Sequence, residues 1–271
     1  MKRLLFILVL LSGAAACSDS GIYSEKRFPR RSVTVNGQTY NYRIYFPENR
    51  DPNAKVPVML YLHGSNRRGD DNRSQLEDLA EVIDAQQERI GFIIVFPQCA
   101  SETFWADDMM SQSMAALDQT VSEFNGDPRR LYLAGFSMGA YGTWQTAVTF
   151  PTKFAALVPV AGGIVPLGEV SAEDRALLSP AFTAAAAAPD PYRAVAEVLR
   201  ATPVWIVHGA EDKSVPVEGA RKIAAALKAA GDPHVNYVEL EGVGHGSVIK
   251  AFSDPKLYEW LAERRNLNNN K

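Results

Sequence analysis

Ser137 stands between Gly135 and Gly139 in Arg130-Leu131-Tyr132-Leu133-Ala134-Gly135-Phe136-Ser137-Met138-Gly139-Ala140. The apolar run reads as a strand, the residues after it as a helix, and the G-x-S-x-G spacing as a sharp turn with the serine at its apex. So tight a turn needs small residues two positions either side, and it exposes a hydroxyl in front of the first free N–H groups of a helix. A serine hydroxyl becomes a useful nucleophile only when a base takes its proton and a third group orients that base. Downstream, the apolar run 203–209 ends in Ala210-Glu211-Asp212-Lys213, and the run 235–240 empties into Gly242-Val243-Gly244-His245-Gly246. Ser137, Asp212 and His245 therefore follow three strand ends in the order serine, acid, histidine. That order supports acyl transfer through a nucleophile, an orienting carboxylate and a general base.

Each residue has a plainer reading. Ser137 could be an ordinary turn serine, and Asp212 a loop or cap carboxylate with Glu211 as the acid. Among the other histidines, His63 precedes Gly64 in a different loop, and His208 ends a core-like strand where a structural role is expected. His234 follows Asp232-Pro233 in a polar turn. Acyl transfer also needs two donors for the developing oxyanion. Met138 N–H is the first. The second is assigned to Ser65 N–H, in the loop after the strand 56–62, with Gly64 allowing close approach. The charges of Arg67, Arg68, Asp70 and Asp71 either neutralise one another on the surface or offer an arginine to a polar substrate group. Phe104, Trp105 and Tyr141 are candidate pocket walls. Trp144 is a weaker one, because an aromatic on a helix more often faces the core.

The elements required to position these groups are legible in outline. Residues 32–35 and 40–46 read as an antiparallel pair joined at Asn36-Gly37. Buried strands follow at 56–62, 91–96, 130–136, 156–160, 203–209 and 235–240, separated by amphipathic segments at 76–87, 109–124, 138–150 and 217–230. Alternating strands and helices imply a mostly parallel central sheet with helices on both faces. Ligands gather at the carboxyl ends of such strands.

These motifs together resemble the α/β-hydrolase superfamily. The similarity is to the esterases and peptidases grouped with dienelactone hydrolase and prolyl oligopeptidase, and to polyhydroxybutyrate-depolymerase-like and feruloyl-type esterases. The matching segments run from about Tyr40 to Leu261. They include Leu62-His63-Gly64-Ser65, Phe96-Pro97-Gln98-Cys99 with Trp105, and Gly135 to Gly139 with Tyr141 to Trp144. Further matches are His208-Gly209-Ala210-Glu211-Asp212, Gly244-His245, and Asp254-Pro255 with Leu257 to Leu261. The resemblance implies a Ser137–Asp212–His245 triad and leaves ester and peptide substrates both open. Two departures stand out. Ala140 replaces a glycine common in relatives, and residues 164–201 form a long insertion, either a small lid or a pair of surface helices.

The 271 residues suffice for one large core, and the net charge of −3 with no basic stripe argues against nucleic-acid binding. Metal-spaced His/Cys clusters and phosphate loops are absent from the sequence, so no cofactor or metal is expected. The expected partner is a small-molecule ester or a short peptide. Met1-Lys2-Arg3, the apolar stretch 4–11 and Ser12-Gly13-Ala14-Ala15-Ala16-Cys17 read as a secretory signal, too short to span about 30 Å of hydrocarbon. It is similar to a bacterial lipoprotein signal, with Ala14 in place of the usual leucine; ordinary cleavage between Ala16 and Cys17 is the alternative. The lipoprotein resemblance implies acylation of Cys17 as the one membrane contact and, with Ser18 next, an outer-membrane destination; otherwise the product is periplasmic or secreted. Cys99 is then unpaired and expected to be a buried, inert thiol. The expected organisation is a signal peptide at 1–16, a tether at 17–31, a hydrolase domain at 32–265 and a disordered tail at 266–271.

Overall fold

The computed structural model describes residues 21–48, 50, 51, 53–164 and 178–266. The signal segment, Cys17 and residues 165–177 of the insertion lie outside these. The first strands, β1 (Arg30–Val35) and β2 (Gln38–Tyr45), pair antiparallel. Asn36 and Gly37 link them with φ of 52° and 79°, the left-handed pair that a two-residue hairpin turn demands. Then come β3 (Val56–Leu62), α1 (Ala80–Gln86), β4 (Ile93–Pro97), α2 (Asp107–Glu123), β5 (Gly126–Phe136), α3 (Met138–Thr149) and β6 (Ala156–Val160). The chain continues through α4 (Pro180–Ala186), α5 (Pro191–Leu199), β7 (Val204–Gly209), α6 (Glu218–Ala229), β8 (Val235–Leu240), α7 (Ser247–Ser253) and α8 (Pro255–Ala262).

The strands form one eight-stranded sheet in the order β1-β2-β4-β3-β5-β6-β7-β8. β2 runs antiparallel to β4, and all the neighbours from β4 to β8 are parallel. This is the α/β-hydrolase architecture expected from the sequence. β4, β6 and β7 are buried along their whole length, as strands covered on both faces must be. Side chains alternate between two apolar layers. Leu60, Leu133 and Ile206 face Leu117 of α2, Trp144 of α3 and Ile223 of α6. Met59, Tyr132 and Val207 face Ile83 of α1, Phe252 of α7 and Leu257 of α8. Local chemistry sets the helix starts. Ser179, Asp190 and Asp254 accept from the amides of Phe182, Arg193 and Lys256, each followed by a proline in the first turn.

Two boundaries differ from the sequence reading. Residues 21–31 are not a free tether: Phe28 is fully buried, and Arg43 donates to the carbonyls of Tyr23, Phe28 and Asn72. Within the insertion, α4 and α5 are a pair of helices that pack into the core through Phe182, Val195 and Leu199. Asn266 is docked as well, its amide donating to Arg129 O and its side chain to Thr152 O.

Candidate active site

β5 delivers Ser137 to the sheet's carboxyl edge with φ 53° and ψ −116°, a conformation that costs a non-glycine residue energy. Packing holds it there. Ser137 N donates to Val160 O of β6 at 2.9 Å, and its carbonyl starts α3 by accepting from Ala140 N at 2.8 Å. The flanking glycines are required by contact: a Cβ on Gly139 would lie 1.8 Å from Leu62 O, and one on Gly135 would lie 2.2 Å from Gly139 O. The elbow therefore sits directly on the end of β3.

β7 and β8 bring the other two groups. His245 Nε2 lies 2.8 Å from Ser137 Oγ, and His245 Nδ1 lies 2.8 Å from Asp212 Oδ2. With a carboxylate at Nδ1, that nitrogen carries the hydrogen, leaving Nε2 to accept from the serine hydroxyl. The Asp212 side chain is fully buried, while that of His245 is 28% exposed and open to a substrate. Asp212 Oδ1 accepts from the amides of Ser214 and Val215, both at 2.9 Å. Burial raises the Asp212 pKa, but the Val215 amide, the His245 imidazole and the Ser214 amide outweigh it, and the carboxyl is held below its ordinary value. Phe136 packs its ring 5.1 Å from that of His245 and limits its swing.

Met138 is the first residue of α3, and Ser65 the first of a short 3₁₀ turn, Ser65–Arg67, after β3. First-turn amides have no acceptor within their own helix, so both are available to a ligand. Asp78 anchors the Ser65 loop by accepting from Gly64 N at 3.2 Å, Arg67 Nε at 2.9 Å and Tyr61 OH at 3.3 Å. Gly64 N–H is thereby committed. So are both arginines considered for substrate: Arg67 also meets Glu77, and Arg68 donates to Ser65 O and Thr103 O. His63, fully buried, lies 2.7 Å from Gly64 O through Nδ1 and accepts from Cys99 N through Nε2 at 3.0 Å.

The pocket-wall assignment needs correcting for Trp105. It is 1% exposed, its indole donates to His63 O at 3.0 Å, and its ring stands edge-on to His63. Its task is to prop the loop from below. Trp144 is core as expected, at 1% exposure, and Phe104 is half-buried. Tyr141 lies one turn along α3 from Ser137 and is half-buried. Its hydroxyl is 3.6 Å from where a Cβ on Gly163 would sit. Burial pushes its pKa to about 12, with the Tyr192 and Asp212 charges adding to the rise. The hydroxyl of Tyr192 of α5 is 3.8 Å from where a Cβ on Gly219 would sit. Sequence reasoning missed Asp78, Tyr192 and the closeness of His208 to Asp212. Asp78 lies in an amphipathic segment where a single carboxylate carries no spacing signal, and no spacing rule marks Tyr192. Cys99 is a buried free thiol, its pKa raised by burial to about 11. Among the described residues, no cluster of His, Cys, Asp and Glu is arranged to hold a metal.

Comparison with known proteins points the same way. Acetylxylan esterase A of Emericella nidulans is 27% identical over 198 residues, covering 65% of this chain and 62% of that protein. A bifunctional acetylxylan esterase/xylanase of Neocallimastix patriciarum is 31% identical over 137 residues, 46% of this chain and 18% of that protein. The chain thus spans less than two thirds of the length of these curated relatives. A crystal structure of a thermostable esterase superposes with a TM-score of 0.72 at 26% identity, over 89% of this chain and 64% of that one. A ferulic acid esterase shares the fold, with a TM-score of 0.65 at 16% identity over 86% of this chain and 98% of that one. The model of the prolyl oligopeptidase family matches residues 100–264, more than half of the sequence and the part that carries Ser137, Asp212 and His245. The chain belongs to the prolyl oligopeptidase family of α/β-hydrolases.

Proposed function

We propose that this protein is a serine hydrolase that cleaves carboxylic esters through an acyl-enzyme. The observation that carries the reading is the unbroken line from buried Asp212 through His245 to Ser137 Oγ, with 2.8 Å at both steps. Ser137 Oγ attacks the acyl carbon while its proton passes to His245 Nε2. Asp212 holds the imidazole and supports its positive charge. Met138 and Ser65 N–H groups receive the oxyanion. Collapse breaks the bond to the alcohol, which leaves with the proton from Nε2. Water, deprotonated by Nε2, then attacks the acyl-serine; the acid departs and the proton returns to Ser137 Oγ.

The relatives named acetylxylan esterase support acetylated sugars as the first alcohol class to test. Tyr141 and Tyr192, two neighbouring phenols, suit a hydroxyl-bearing leaving group. The family match favours short-peptide hydrolysis as the second reading, since the same triad serves an amine leaving group. Export is part of the proposal: the leading segment, Met1 to Cys17, supports it, and so does a relative from Arthroderma benhamiae named as a secreted protein. Acylation at Cys17 and an outer-membrane location rest on that segment alone.

The test is fluorophosphonate labelling of purified protein and of Ser137→Ala, with turnover of nitrophenyl acyl esters, feruloyl and acetyl-sugar esters, and aminoacyl anilides. The variant is expected to lose labelling and about 10⁶ in hydrolysis. Equal labelling of both proteins would remove the mechanism, and anilide turnover above ester turnover would favour the peptidase.

A further inference from the structure

His208, next to last in β7, is fully buried, and the mechanism above gives it no task. Its Nε2 lies 2.9 Å from Val215 O, so this nitrogen carries a hydrogen and donates. The same Nε2 is 3.3 Å from Asp212 Oδ2, the oxygen that meets His245. Its Nδ1 is buried with no hydrogen-bond partner. A hydrogen on Nδ1 would leave a buried donor unpaired, so the tautomer with hydrogen on Nε2 is favoured, turned toward Asp212. Val215 closes the loop of interactions, since its own N–H grips Asp212 Oδ1 at 2.9 Å while its carbonyl takes the His208 hydrogen.

We propose that His208 is a positioning residue for the hydrolytic reaction. Its Nε2–H edge clamps the Val215 carbonyl beside the Asp212 carboxylate, fixes the direction in which Oδ2 meets His245, and weakens the carboxylate's pull on the imidazole proton. The inference rests on the triad reading above. An apolar side chain would fill the end of β7 without leaving Nδ1 orphaned, and the compensating contacts all lie on the Asp212 side. Glu239 of β8 stands opposite His208 in register, and is itself bound by Arg221 of α6 and by the Tyr237 hydroxyl. The neighbouring strand β6 presents Val160 opposite Val207, and Ala161 follows it.

The sign of the effect follows from charge. Removing a donor edge from a carboxylate makes it more attractive to a neighbouring cation, so the pKa of His245 rises. The experiment is an NMR titration of the His245 imidazole in the full-length protein, in His208→Leu and in His208→Gln, with thermal unfolding as the control for folding. In H208L the pKa of His245 is expected to rise by about half a unit to one unit. Its kcat for nitrophenyl acetate should fall about tenfold at unchanged KM, and the acid limb of kcat/KM should move up in pH with the imidazole. H208Q, whose amide keeps a donor near the Nε2 position, should restore all three. A folded H208L with an unmoved His245 titration would overturn the proposal, and so would an H208Q as defective as H208L. If H208L does not fold, His208→Asn replaces it, because its shorter amide stops short of Asp212. The titration needs no turnover. Failure of the hydrolase reading, seen as a wild type no more active than Ser137→Ala, is therefore distinct from failure of this one.

Discussion

Lowering the pH should destabilise the protein through His63 before the depressed carboxyls of Asp71, Asp127 and Asp212 respond. His63 is fully buried, with Nε2 accepting from Cys99 N and Nδ1 against Gly64 O. A second proton would have to go on Nε2, break the Cys99 bond and leave a charge away from water. Burial lowers the pKa to about 4 from an ordinary 6.5; the Gly64 carbonyl and Asp78 push it up, and Arg67 and Arg68 push it down. A base whose folded pKa is depressed contributes fully above its unfolded pKa and loses that contribution as pH falls to the folded value. Between pH 6.5 and about 4 the unfolded chain binds a proton that the folded one refuses, so stability falls with falling pH. At about 1.4 kcal/mol per pH unit the whole effect is about 3.5 kcal/mol, of which about 2 kcal/mol is gone by pH 5. The assay is urea unfolding of wild type and His63→Gln at pH 7.5, 6.5, 5.5 and 5.0. Glutamine can still accept from Cys99 N and does not titrate. All other groups are common to both proteins. The wild type should lose about 2 kcal/mol more than the variant by pH 5, and two parallel curves would refute the reasoning. Asp71, Asp127 and Asp212 do not confuse the window. Burial raises each, their hydrogen bonds outweigh it and hold the carboxyls low, so their contributions persist above the ordinary carboxylate range and disappear only below it.

Three other outcomes are expected. Asp212→Asn should keep the fold and lower kcat by about 10⁴, measured with a nitrophenyl ester, because the amide favours the wrong imidazole tautomer. Gly139→Ala puts a Cβ against Leu62 O, a backbone atom that cannot step aside; it should cost about 1–3 kcal/mol by urea unfolding and slow fluorophosphonate labelling. Arg43→Met strips the charged donor from three carbonyls and should cost about 3 kcal/mol, with limited proteolysis newly cutting residues 21–29.

Much of this protein follows from local pattern alone. Alternation and apolar runs set the strands, Asn36-Gly37 sets the hairpin, and Ser179, Asp190 and Asp254 ahead of prolines set helix starts. Each is a statement about backbone conformation within a few residues. The order Ser137, Asp212, His245 was likewise legible, because every one of them follows a strand whose end the sequence marks. What lay beyond the sequence depends on which strands become neighbours. β3 lies beside β5 in the sheet although α1, β4 and α2 separate them in the chain, and only that adjacency sets Gly139 on Leu62 O. The same long-range packing buries Trp105 under His63 instead of lining a pocket, makes Asp78 the anchor of the Ser65 loop, and docks residues 21–31 through Arg43. Directional bonds between distant segments leave no periodicity in the chain, and so tertiary structure alone decided them.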